Sequence, residues 1–275
     1  MEPSPAIHHV EHVMGTVVTI DVYTNDGESS SRLSLSVARA RAILHRADAV
    51  FSTWKSDSPL SRLRRGQITR EGAPPEMTEV LDLCAIARDV SGGWFDPWAM
   101  PGGVDPTGYV KGWAAQRALA ALLSSEVSGA LVNAAGDVAG FGGPGIADAF
   151  RIGIIDPFSP GDLACVVELD GGLATSGTYE RGPHLIDPRS RRPRALVASA
   201  SVSGPDLGLA DALATALMVA GEEGLAWFET LEGFEALVCA LDGTSKWTEH
   251  FPFAPGYRPM PIAPKVPQRI DDPPA

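Results

Sequence analysis

The stretch Leu209-Ala210-Asp211-Ala212-Leu213-Ala214-Thr215-Ala216-Leu217 carries a carboxylate and a hydroxyl four residues apart in an otherwise apolar run. Its periodicity predicts a helix from about Leu207 to Ala220, with Ala210, Leu213, Ala214, Leu217 and Met218 forming a core stripe. Four-residue spacing sets Asp211 and Thr215 on one helical face, at the edge of that stripe. An ionised Asp costs on the order of several kcal/mol to bury unless it is paired or binds a metal. Two oxygen ligands on one face suit a hard cation, Mg²⁺ before zinc. The plainer alternative is an acidic residue near a helix start, favoured by the macrodipole.

A second stretch, Gly182-Pro183-His184-Leu185-Ile186-Asp187-Pro188, sets His184 between a Gly-Pro and an Asp-Pro turn, with Arg181, Arg189, Arg191 and Arg192 around it. In a chain of net charge −12, such a cluster either receives a phosphate-bearing ligand or is a solvated basic loop. Asp105-Pro106-Thr107-Gly108-Tyr109-Val110-Lys111-Gly112 leads from a turn into a helix, whose N-terminal N–H groups favour an anion. Lys111 beside it can hold a phosphate, although the glycine spacing is not that of a P-loop. Trp54, Trp94, Phe95 and Trp98 fall in turn-rich segments, as packing anchors or as walls for a planar ligand.

Along the chain, residues 8–23 alternate and read as one long strand. Helices are predicted over Leu33 to Val50, over Glu79 to Val90 with Thr78 as N-cap, and over Lys111 to Leu123. Short strands follow at 129–133, 150–155, 164–169, 183–187 and 195–202. Asn133 to Asp137 reads as a hairpin turn, and Asp170-Gly171-Gly172 as another turn. After the Leu207–Ala220 helix come a shorter helix from Glu222 to Glu229 and a strand from Phe234 to Leu241. Helices clustered between runs of strands predict an α+β fold, not a repeating βαβ chain. Residues 1–250 are expected to form a single domain. Residues 251–275 hold eight of the 23 prolines and read as an extended tail on the surface.

The acidic balance argues against a nucleic-acid partner, which would need Lys and Arg to neutralise phosphates. Cys84, Cys165 and Cys239 are odd in number and widely spaced in apolar runs, so buried free thiols are expected. No apolar stretch reaches the roughly 18 residues of a membrane span. Nothing in Met1 to His9 reads as an export signal, so a cytoplasmic location is expected.

Taken in order, these pieces resemble the ApbE-type FAD:protein FMN transferases. The likeness runs from His12 to about Gly221. It is carried by Met14-Gly15-Thr16; Phe51-Ser52-Thr53-Trp54 with Asp57-Ser58 and Leu60-Ser61; Gly93-Trp94-Phe95-Asp96-Pro97; and Asp105 to Gly112. It continues through Asn133 to Asp137, Thr175-Ser176-Gly177 with Tyr179-Glu180-Arg181, His184 to Pro188, and Ala210 to Thr215. The resemblance implies a mixed, mainly antiparallel sheet flanked by helices. It also implies Mg²⁺-dependent transfer of FMN from FAD to a Ser or Thr hydroxyl of an acceptor protein, with release of AMP.

The resemblance further implies metal ligation by Asp211, Thr215 and the backbone carbonyl of Gly108. FAD would contact Met14, Trp54, Trp94, Phe95, Asp96, Asp105 and Lys111, and Ile186 through its backbone. His184 would be the base that deprotonates the acceptor hydroxyl, work for which an imidazole pKa is suited. Ala135, Thr178 and Pro106 depart from the family's usual residues, and the connection from Asp96 to Asp105 is short. Two rivals stand beside this reading: an Mg²⁺-dependent FAD pyrophosphatase using water as acceptor, and a flavin-binding protein without turnover.

Overall fold

The computed structural model describes residues 4–25, 29–124, 126–145, 149–159, 161–178 and 185–258. Within them an eight-stranded sheet runs in the order β1-β2-β3-β4-β7-β10-β11-β12, with every neighbouring pair antiparallel. Its strands are β1 (Ile7–Val13), β2 (Thr16–Thr24), β3 (Val127–Ala134), β4 (Asp137–Gly142), β7 (Gly171–Gly177), β10 (Val197–Gly204), β11 (Glu235–Ala240) and β12 (Ser245–Trp247). Two small ribbons stand apart from it, β5 (Arg151–Ile155) with β6 (Leu163–Glu168), and β8 (Ile186–Asp187) with β9 (Arg192–Pro193). The helices are α1 (Ser31–Phe51), α2 (Pro59–Arg64), α3 (Pro75–Val90), α4 (Thr107–Ala120) and α5 (Leu207–Ala220). This is the expected α+β class.

The long strand expected over 8–23 is instead a hairpin. Val13 pairs with Thr16, and the two loop residues Met14 and Gly15 both have positive φ, 55° and 71°. That is the backbone of a tight hairpin turn, and methionine in its first position hides it from a search for Asn-Gly or Asp-Gly. Helix α3 starts at Pro75, not after Thr78, because a proline at the first helical position needs no donor there. Helix α4 starts four residues before Lys111, so Gly108 and Lys111 both lie in its first turns.

Helix α1 buries Leu33, Val37, Ala40, Leu44, Ala47, Val50 and Phe51. These spacings of three and four make a single stripe facing the core, and Ser30 caps the start by accepting from the Leu33 N–H at 3.2 Å. Helix α5 is capped by Asp206, which accepts from the Leu209 N–H at 2.8 Å. It ends at Gly221, whose φ of 73° suits glycine. It is buried on almost all sides, well beyond the expected stripe; only Leu209 and Thr215 keep partial exposure. The opposite face of the sheet contributes Val138, Leu173 and Leu237 to a second apolar cluster with Phe150, Ile154, Val167 and Phe251.

The tail begins inside that second cluster, not on the surface. Phe251 is buried, the Glu168 N–H donates to the Pro252 carbonyl at 2.9 Å, and the Ala254 N–H donates to the Val166 carbonyl at 2.9 Å. Alternating apolar residues Phe251 and Phe253 let a proline-containing segment run along β6. The stretch 259–275 lies outside the described residues. The three cysteines are buried and free. Among the described residues no helix is long and apolar enough to cross a membrane.

Helices α4 and α5 meet at Gly112 and Gly208. A Cβ at Gly112 would stand 2.2 Å from the Leu207 carbonyl oxygen, and one at Gly208 would stand 2.5 Å from the Tyr109 ring. The obstacle at Gly112 is backbone, which cannot swing aside. Gly112→Ala is therefore expected to lower unfolding stability by about 3 kcal/mol through overpacking. A urea melt within about 1 kcal/mol of the parent would contradict this close approach.

Candidate active site

Two hairpin turns start the site. The β3–β4 turn pairs Ala134 with Asp137 across Ala135 and Gly136, with φ of 55° and 93°. Asn133 stabilises it by accepting from the Gly136 N–H at 2.9 Å. Because β2 pairs with β3 and Val18 faces Ala134, this turn lies beside Met14-Gly15 at the same end of the sheet. Ala135 holds a left-handed conformation that glycine adopts with less strain.

A cleft of about 370 Å³ opens there. Its lining includes Met14, Trp54, Trp94, Phe95, Asp96, Asp105, Gly108, Lys111, Ile186, Asp211 and Thr215. Every residue that the resemblance assigns to FAD or metal is thus in one wall or another of a single cavity, with His184 lying outside the described residues. Leu185, the next residue in the chain, lines the cleft.

Trp54 lines the cleft yet is 93% exposed, which a packing anchor would not be. Its loop is nonetheless fixed. The Ser52 hydroxyl accepts from the N–H groups of Trp54 and Lys55 at 3.3 and 3.1 Å, and the Ser52 carbonyl accepts from the Ser58 and Ser61 hydroxyls at 2.6 and 3.2 Å. Across the cleft, Phe95 is held by its N–H donating to the Ser91 hydroxyl at 3.0 Å, and Asp96 accepts from the Trp98 N–H at 2.9 Å. The Arg189 guanidinium lies 3.7 Å from the centre of the Trp94 ring, a cation–π stack that fixes the ring's orientation. Part of the basic cluster is therefore committed to an aromatic wall. Arg191 and Arg192 are exposed, and Arg181 lies outside the described residues.

Asp105 organises the start of α4. One carboxylate oxygen accepts from the Thr107 N–H and hydroxyl at 3.1 and 2.7 Å, and the other from Arg64 at 3.2 Å. Arg64 carries no signal in the sequence, because its partner lies 41 residues away on another element.

The floor of the cleft is electrostatic. The Lys111 ammonium donates to Asp137 and to both Asp211 oxygens, the latter at 3.2 and 3.1 Å. The side chains of Asp137 and Asp211 are only 1% and 3% exposed, whereas that of Lys111 is 27% exposed. Two buried negative charges thus face one positive charge. Burial first, and then the charge of Asp137, pushes the Asp211 carboxyl above the usual carboxylate range, with Lys111 and the Gly112 N–H pulling the other way. Burial alone would depress the Lys111 ammonium, but the two carboxylates outweigh it and hold it above the ordinary lysine value. The close approach at Gly112 brings its N–H to 3.3 Å from Asp211 Oδ2. Thr215 Oγ1 lies 3.4 Å from Ser176 Oγ and 3.4 Å from where a Cβ on Gly108 would stand.

Asp211, Thr215 and Gly108 all line the cleft, with Thr215 packed against Gly108, beside two buried carboxylates that share one lysine. Among the described residues no group of three or more His, Cys, Asp or Glu side chains is arranged to hold a metal. One carboxylate with neutral oxygens nevertheless fits Mg²⁺, which takes few protein carboxylates and completes its shell with water and substrate phosphates.

The model of the ApbE family matches residues 14–102 and 100–238. A curated relative, the FAD:protein FMN transferase of Rhodobacter capsulatus, is 38% identical over 151 residues, covering 52% of this chain. The matched stretch spans only 29% of that relative's length. Among solved structures, the flavin transferase ApbE from Vibrio cholerae superposes with a TM-score of 0.74 at 22% identity, over 88% of this chain and 96% of that one. The ApbE protein of Thermotoga maritima gives 0.73 at 22% identity, over 88% and 97%. The flavinyl transferase ApbE of Pseudomonas stutzeri gives 0.74 at 24%, over 88% and 94%. These superpositions establish likeness of fold.

Proposed function

The chain belongs to the ApbE family, and from that premise we propose that it transfers the FMN half of FAD to a Ser or Thr hydroxyl of an acceptor protein. The observation that carries the proposal is that Trp54, Trp94, Phe95, Lys111, Asp211 and Thr215 all line one cleft. In the reaction the acceptor oxygen forms a bond to the FMN phosphorus, the pyrophosphate P–O bond breaks, and AMP leaves with the bridging oxygen. Asp211, Thr215 and the Gly108 carbonyl would hold Mg²⁺, whose chemistry there is to neutralise pyrophosphate charge.

The protein's own groups supply position and proton control. Met14 and Trp54 on one side and Trp94 and Phe95 on the other offer apolar surface to the flavin and adenine rings, oriented by the backbone and carboxylate of Asp96. Ile186 contributes its backbone. Asp105, tied to α4, and Lys111 fix the polar part of the dinucleotide. His184 is the proposed base, taking the hydroxyl proton as the acceptor oxygen attacks. His184→Ala should keep FAD affinity and lose transfer; an unchanged transfer rate would remove it from that role.

Trp54 gives a test of the binding half alone. Its side chain is exposed, so Trp54→Ala should leave the melting temperature unchanged. It should weaken FAD binding by about 1 kcal/mol, roughly fivefold, through lost ring contact. Equal FAD affinity in a fluorescence titration would take Trp54 out of the site.

A further inference from the structure

Asp137 lies behind the cleft and does not line it, yet it bonds the one lysine that also covers the proposed metal ligand. We propose that Asp137 is a positioning residue which anchors the Lys111 ammonium and so keeps Asp211 available to a divalent cation; this rests on the reading that Asp211 ligates Mg²⁺. A cation approaching Asp211 must displace an ammonium already bound to both of its oxygens. Because Lys111 keeps a second buried carboxylate as partner, it can yield Asp211 without being left unpaired. Asp137 is itself fixed: it sits at the first position of β4, 1% exposed, and its other oxygen accepts from the Thr175 N–H at 3.4 Å. The charge balance points the same way. With both carboxylates ionised, as a bound divalent cation would require of Asp211, the trio carries a net charge of about −1, which attracts a cation; without Asp137, Lys111 and Asp211 form a closed neutral pair.

The test is the Mg²⁺-induced rise in melting temperature of the FAD-free protein, titrated to give an apparent dissociation constant. Asp137→Asn should weaken Mg²⁺ about tenfold or more, as deletion of one member of a buried charge cluster does. The double variant Lys111→Met with Asp137→Asn, which removes the competing ammonium and restores the net charge, should return the constant to within about threefold of the parent. An unchanged constant in Asp137→Asn overturns the proposal. So does a double variant no tighter than the single, since Asp137 would then act as a ligand itself or through the fold. If Asp137→Asn does not fold, the double variant decides alone: parent-like binding supports the proposal, and binding about tenfold weaker overturns it. Asp211→Asn separates the two levels. Parent-like Mg²⁺ binding there refutes the metal reading itself, whereas lost binding there with parent-like binding in Asp137→Asn refutes only the role of Asp137.

Discussion

Asp211→Asn is expected to reduce FMN transfer by about a thousandfold or more, the scale seen when a charge-stabilising group is removed from a reaction centre. Asparagine keeps the shape of the side chain and an oxygen for the Gly112 N–H and the Lys111 ammonium, so the α4–α5 contact survives. What it removes is the only carboxylate in the proposed metal set. The fold should not suffer, because Lys111 then faces the single carboxylate of Asp137 and the buried cluster is neutral. Loss of turnover with a melting temperature within about 3 °C of the parent is the expected pair of results. Full activity would remove the metal assignment. A collapse in stability would mean that Asp211 is a structural ion-pair partner first.

Lys111→Met should do the opposite to the fold. It leaves Asp137 and Asp211 buried together with no cation between them. Breaking a buried charge cluster by removing one partner costs about 3–5 kcal/mol. The lower end applies because the ammonium is a quarter exposed and already partly screened by water. For a chain of this length that is a fall on the order of 10 °C in melting temperature. Millimolar Mg²⁺ should recover part of it by supplying the missing positive charge. A variant as stable as the parent in the absence of Mg²⁺ would show that the two carboxylates are not both ionised.

These two variants also mark where the sequence could be read and where it could not. Asp211 and Thr215 were legible because helix α5 is so apolar that two polar side chains on one face demand an explanation. Helices α1 and α5 were legible through their strong periodicity, and in the structure Ser30 and Asp206 cap them. Strands β4 and β7 were not. Their sequences, Asp137-Val-Ala-Gly-Phe-Gly and Gly171-Gly-Leu-Ala-Thr-Ser-Gly, are rich in glycine and lack clean alternation because they are central and packed on both faces. The glycines answer to packing: a Cβ at Gly140 would stand 2.6 Å from Leu131 and Leu169, and one at Gly172 would stand 2.9 Å from Leu207. Such contacts are set by residues distant in the chain, so no local pattern announces them.

The site divides along the same line. The cleft residues announce themselves through aromatic loops and polar breaks in apolar helices. The residues behind them do not. Arg64 is one of many surface-type arginines until Asp105 is placed beside it, and Arg189 is one of a run until Trp94 lies under it. Asp137 ends an ordinary hairpin turn, and only the register of β3 with β4 and the first turns of α4 bring it to Lys111. Long-range pairing makes these roles, and a single sequence records only their members.

The activity proposed for this cleft is the movement of FMN from FAD onto a protein hydroxyl. Its most direct measurement is a reaction of the chain with FAD, Mg²⁺ and a flavin-acceptor protein, followed by denaturing electrophoresis read by flavin fluorescence and by quantification of AMP. Fluorescence that stays with the acceptor band, with one AMP released for each flavin bound, is the predicted result. FAD split to free FMN and AMP at the same rate with or without acceptor would contradict transfer and identify a hydrolase.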